Sequence, residues 1–129
     1  MVGYVTFRYD DANDIHFAYP KWLVETEDDC RIWYQQFVDH FSKYGKKVDV
    51  VIVLDDFRIG PAIGSVWGKY RAEWIRTYTR FSVRVNGDRR ASTFTATSAA
   101  LYGGGYQEAP DVETAVKNIL AWRRAEGLV

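Results

Sequence analysis

The chain has 129 residues, of which 47% are hydrophobic and 16% aromatic; this is too much large apolar surface for intrinsic disorder and enough for one domain with its own core. Seventeen basic and seventeen acidic side chains cancel to a formal net charge of zero, which argues against a surface built throughout to grip nucleic acid. One cysteine, Cys30, excludes an internal disulfide framework and a cysteine-rich zinc site.

No apolar run approaches the roughly 20 residues of a membrane span, and no signal-peptide core opens the chain. A soluble cytoplasmic domain is therefore the expectation. Tyr4–Tyr9 and Ile15–Tyr19 are rich in β-branched and aromatic residues, and the acidic cluster between them supplies turn chemistry. They read as a hairpin, with Pro20 ending the second strand or marking it as an edge. Thr26 and Asp29 make a near-capping-box, after which Cys30, Trp33, Phe37, Phe41 and Tyr44 recur at helical spacing. A helix over 27–44 follows, closed by Gly45 in a left-handed cap.

Val48–Leu54 is almost continuously apolar and β-branched, which suits a strand covered on both faces. Residues 55–60 read as its exit loop, and Pro61 as the first turn of a helix over 61–79. In that helix Gly64 permits close packing against the sheet. Phe81–Asn86 alternates as a strand. Residues 89–102 pull both ways: serine and threonine favour strand, while the alanines and Gly103 tip the balance to helix. Tyr106–Ala109 reads as a short edge strand, and Asp111 caps a last helix over 112–125 with a Glu113–Lys117 pair. The order β-β-α-β-α-β-α-(β)-α predicts an α/β fold, a single mixed sheet of four to five strands with helices packed on it.

Candidate chemistry is sparse. Asp55 and Asp56 stand where the buried strand ends, the crevice at which open α/β sheets bind ligands. Two carboxylates there could hold Mg²⁺ or orient a polar ligand; equally, one caps the loop and the other is solvated. The glycines of Gly60–Ser65 lack the Gly-Lys-Ser/Thr ending of a phosphate loop. His16 and His40 have no His or Cys partner at ligand spacing, so no metal is assigned. Cys30 lies on an apolar helix stripe and reads as a small hydrophobe. With no nucleophile elbow either, no catalytic residue and no cofactor is assigned. Lys69, Arg71, Arg76, Arg80, Arg84, Arg89 and Arg90 crowd one stretch, but the interleaved aromatics share a helical stripe, which argues against a nucleic-acid face.

The element order, the apolar strand Val48–Leu54 running into an Asp-containing loop and helix, and the closing helix from Asp111 resemble the STAS-like fold of anti-sigma-factor antagonists and sulphate-transporter tails. The resemblance implies a non-catalytic regulatory domain, as in the bacterial antagonists, that works by binding a protein. In those antagonists a serine or threonine shortly after the buried strand is a phosphorylation switch. Here Asp55-Asp56-Phe57-Arg58 matches that stretch, Phe57 stands where the hydroxyl would be, and Ser65 lies well beyond. Asp55, Asp56, Arg58 and Ser65 are thus the candidate ligand or partner surface. The alternative is a small-ligand or metal-dependent site in the Asp55/Asp56 crevice. Edge strands and zero net charge favour pairing, so a homodimer is expected. Its contact would be the helix 61–79, through Trp67, Tyr70, Trp74 and Tyr78 with Arg76 at the border.

One prediction follows from the missing hydroxyl. A promiscuous kinase of antagonist-type domains should leave residues 55–60 unmodified by mass spectrometry; stoichiometric phosphate on Ser65 would restore the switch.

Overall fold

Every other element is arranged about the apolar run at Val48. The structure, a computed structural model, describes residues 3–105 and 107–128. In chain order its elements are β1 (Tyr4–Asp10), β2 (Ile15–Val24), α1 (Glu27–Phe41), β3 (Val48–Val53), β4 (Phe57–Ile59), α2 (Gly64–Tyr78), β5 (Thr79–Val85), α3 (Arg89–Tyr102), β6 (Glu108–Ala109) and α4 (Val112–Ala125). One sheet runs β1-β2-β3-β5-β6, with β4 paired to β2. β1 is antiparallel to β2, and the remaining pairs are parallel. The α/β fold agrees with the sequence reading, with six strands instead of four or five. Tyr106, expected to open the last strand, lies outside the described residues.

Local chemistry sets most boundaries. Thr26 and Asp29 close a reciprocal capping box at the start of α1. A 3-10 turn over Ser42–Tyr44 tightens the helix end, and Gly45 follows with φ 65°, where a side chain would be strained. Asp88 settles the ambiguous stretch as helix by accepting from the Ala91 N–H at 2.8 Å. Asp111 does the same for α4 through the Thr114 N–H at 2.7 Å. Two departures stand out. β2 does not stop at Pro20: β3 pairs with residues 16–18 and β4 with 22–24, so Pro20 falls opposite the break between them. Half of the expected loop 55–60 is β4, because Phe57 and Ile59 are buried side chains that carry the chain back into the sheet.

Alternation in β3 sends Val48, Val50 and Leu54 to one core and Val51 and Val53 to the other. The first core packs against α1 and α2, where Phe37 stacks on Trp74 at 4.2 Å and Trp33 meets Trp67 at 5.5 Å. The second packs against α4 through Ala115 and Ile119. Gly64 and Gly68 bring α2 close to α3 and not to the sheet: a Cβ at Gly64 would strike the Phe94 ring, and one at Gly68 would lie 2.8 Å from the Ser98 Cβ.

Asp49, the one polar residue of β3, is buried on the α4 side. Its carboxylate accepts from Arg80 Nε at 3.0 Å and from Arg123 Nε at 2.7 Å. The β3–β5 register slips here, Val48 facing Thr79 but Val50 facing Ser82. The Phe81 N–H, within that slip, donates to Asp49 Oδ1 at 3.1 Å. Arg123 also donates to the carbonyls of Asn13 and Asp14 in the hairpin loop. One carboxylate therefore joins β3, β5, α4 and the hairpin. Burial alone pushes its pKa up, but the hydrogen bonds and charges of Arg80 and Arg123 more than reverse this and leave it below the ordinary value.

Removing one partner of such a buried cluster strands the others, so Asp49→Ala should cost about 3–5 kcal/mol in urea unfolding. A loss under about 1 kcal/mol would mean that the clamp is dispensable. The pH dependence has an acid part, which Asp49 shares with Asp10, Asp29 and Asp111, and a part from the two histidines. Asp49 contributes stability above its unfolded pKa of about 4 and loses it as the pH falls through its lower folded value. His16 and His40 are held below their ordinary values chiefly by burial, His40 at about 4, so each destabilises the fold as the pH drops from about 6.5. Urea midpoints should fall from pH 7 to pH 3. In Asp49→Asn the portion below about pH 4 should become shallower, with Asp10, Asp29 and Asp111 keeping the rest of it, and the portion above should persist.

Candidate functional site

Asp55 and Asp56 form the short turn between β3 and β4, and both side chains are exposed. Asp56 faces Lys21 at 3.9 Å, a solvated pair of little energetic weight. Among the described residues, no three His, Cys, Asp or Glu side chains gather to hold a metal. Phe57, in the place of the switch hydroxyl, is fully buried beside Trp33 and Trp67. Arg58 is exposed, bonds the Asp55 and Phe57 carbonyls and lies 3.6 Å from Asp88. Ser65 is exposed on the first turn of α2, in a separate hollow with Phe94 and Leu101.

The sheet brings part of this set together with residues that the sequence reading did not single out. Partners across the β1–β2 ladder share a face, so Tyr4, Thr6 and Arg8 stand beside Lys21, Tyr19 and Phe17. Leu23 continues that face and is paired with Arg58 of β4. The face belongs to the α4 side of the sheet, but α4 packs on β3 and β5 and leaves the hairpin half open. Tyr4 is 52% and Leu23 53% exposed there, bordered by Lys21, Arg58 and Asp56. Arg8 covers the Phe17 ring at 4.1 Å, where the helix does not reach.

The stripe expected to pair two chains is instead largely internal. Trp67 and Trp74 are buried against α1, and Tyr70 is half-buried 5.4 Å from Tyr34. Tyr78 is half-buried, and Arg76 is exposed with its Nε donating to the Ala72 carbonyl. The ring count exceeds what a sheet face needs because α1 supplies a second aromatic face for α2 to meet. Trp67 and Trp74 therefore have no free surface to offer a second chain.

Between α2, α3 and the sheet lies a cavity of about 30 Å³, lined by Trp33, Trp67, Trp74, Arg71, Arg84, Ser82 and Thr95 among others. Arg71 donates to Ser98 Oγ at 2.9 Å and to the Gly105 carbonyl. Arg84 donates to Ser92 Oγ at 2.8 Å and pairs with Glu108 at 2.7 Å. Gly103 and Gly104, at φ 82° and 81°, lead the chain away from α3, and Gly104 passes close over Ala72. Gly105 and Gln107 line this cavity and also a neighbouring hollow of about 330 Å³ floored by Phe81 and Trp122. The sequence reading placed Arg71 and Arg84 in a basic stretch and Gly103 at a helix end, but did not gather them around one cavity. The available signal was Arg71, a charge set one turn after Trp67 inside an apolar stripe.

A comparison with protein-family models and with curated proteins finds no match to this chain.

Cys30 is buried in α1, and burial, helped by the nearby Asp29 and Glu27 charges, pushes its thiol up to about 12. A thiol-selective reagent should leave it untouched in the native protein at pH 8 and label it fully in denaturant. Rapid native labelling would place Cys30 in an open site.

Proposed function

We propose that the chain is a non-catalytic interaction domain of the STAS-like kind, which binds a protein partner or a second copy of itself across the open face of β1, β2 and β4. The observation that carries this reading is the half-covered sheet. Helix α4 shields β3 and β5, while Tyr4 and Leu23 keep more than half of their surface in water at the centre of the uncovered part. An apolar centre with Lys21, Arg58 and Asp56 at its border has the make-up of a recognition patch. β1 is also an edge strand with seven residues of backbone on its outer side, which favours strand-to-strand association. The element order behind the STAS-like resemblance supports the same reading, with β4 as one addition. A ligand or metal site at Asp55 and Asp56 has less support, because both carboxylates stand in solvent on a turn.

Light scattering at micromolar concentration tests self-association. Wild type should give the mass of two chains and Leu23→Asp the mass of one, with unchanged circular dichroism. A single-chain mass for wild type would remove the second copy as the partner. A photo-crosslinking residue at Leu23 should still join a protein in extracts of the source cells, where one at Arg124 does not. Equal labelling at the two positions would overturn the interaction surface.

A further inference from the structure

We infer that the cavity between α2, α3 and the sheet is a binding site for a compact monovalent anion, a halide or a formate-sized carboxylate. This site is distinct from the hairpin face and stands whether or not that face binds a partner. Its wall is mainly apolar, but several of the side chains that form it carry donors. Guanidinium and indole groups can only donate, and Arg71, Arg84, Trp33, Trp67 and Trp74 all line the space. The indole N–H groups of the three tryptophans are buried and meet no acceptor among the described residues. The buried Thr95 hydroxyl on α3 has no partner among them either. Leaving one such group unpaired is costly, and four around a single cavity call for an occupant that accepts hydrogen bonds.

Water is the competing occupant, since the hydroxyls of Ser82 and Thr95 can accept its protons; an anion brings no protons and in addition answers the guanidinium charge. The charges that face the space are Arg71 and Arg84, with Glu108 paired to Arg84 from the β6 side. Size narrows the class further. About 30 Å³ holds one or two water-sized particles, while drug-sized ligands need roughly 300 Å³ or more. Sulfate, phosphate and nucleotides are therefore excluded from the space as it stands. Ser82, Gly105 and Gln107 line both this cavity and the outer hollow, which makes that side the expected route of entry.

The tryptophans provide their own reporters, since five residues give five indole N–H resonances. ¹⁵N-labelled protein in gluconate buffer would be titrated with chloride, formate and sulfate at constant ionic strength. At least one of the Trp33, Trp67 and Trp74 peaks should shift saturably with chloride or formate, while Trp22, which does not line the cavity, stays in place. Saturation by chloride alone assigns a halide site; saturation by formate as well assigns a carboxylate-accepting one. Thr95→Val should weaken binding by about 3–10-fold, the value of one hydrogen bond. Ser82→Ala, on the opposite wall, covers the case in which the helix variant fails to fold. The inference is overturned by no shift, by all five peaks moving together, by saturation with sulfate, or by wild-type affinity in a folded variant.

Discussion

The Asp49 carboxylate is the constraint around which the sheet is organised. Taking a charge out of water costs several kcal/mol, and only close, directional partners offset it. Here Arg80 and the Phe81 N–H of β5 and Arg123 of α4 meet it at once, from two stretches of chain far apart in sequence. The arrangement fixes more than energy. A one-residue slip between β3 and β5 would turn Val83 and Val85 from the α4 core to the opposite face. The irregular register at Val48–Val50 is the place where such a slip would start, and Asp49 pins it. Arg123 then carries the same constraint out to the hairpin loop, so the tilt of α4 and the position of β1 and β2 are set together.

Much of the fold was legible because local chemistry and hydrophobic period agreed. Thr26, Gly45, Asp88 and Asp111 each end or start a helix where the pattern changes. The failures have physical reasons of their own. β4 is three residues long, and its Phe-Arg-Ile alternation is too brief to outweigh a preceding acidic turn. Pro20 reads as a strand end, yet a proline is tolerated inside a long strand where the neighbouring ladder is interrupted. The stripe on α2 was recognised, but sequence periodicity does not say whether a second helix waits opposite it. The cavity was invisible for a related reason. Ser82 and Arg84 alternate with Val83 and Val85, a pattern that reads as a strand with one wet face, whereas both faces of β5 are covered.

The two faces of the sheet are covered unequally, and the candidate sites follow from that. Three helices share the side of Trp33, Trp67 and Trp74; the large rings and the glycine-mediated approach of α2 to α3 leave a small enclosed space with arginines in its wall. A single helix of 14 residues serves the other side and cannot span it. Enclosure on one side and exposure on the other thus arise from the same count of helices.

The dependence on α4 also bears on the order in which the chain is made. Every strand leaves the ribosome before α4, so the apolar row Val51, Val53, Val83 and Val85 exists for a time without its cover. During that interval Asp49 has Arg80 but not Arg123, and the hairpin loop has no anchor more than a hundred residues downstream to hold it. Contacts of such sequence separation form late and slowly. The apolar row on that side of the nascent sheet is therefore the part left open longest, and it is sealed only when α4 arrives.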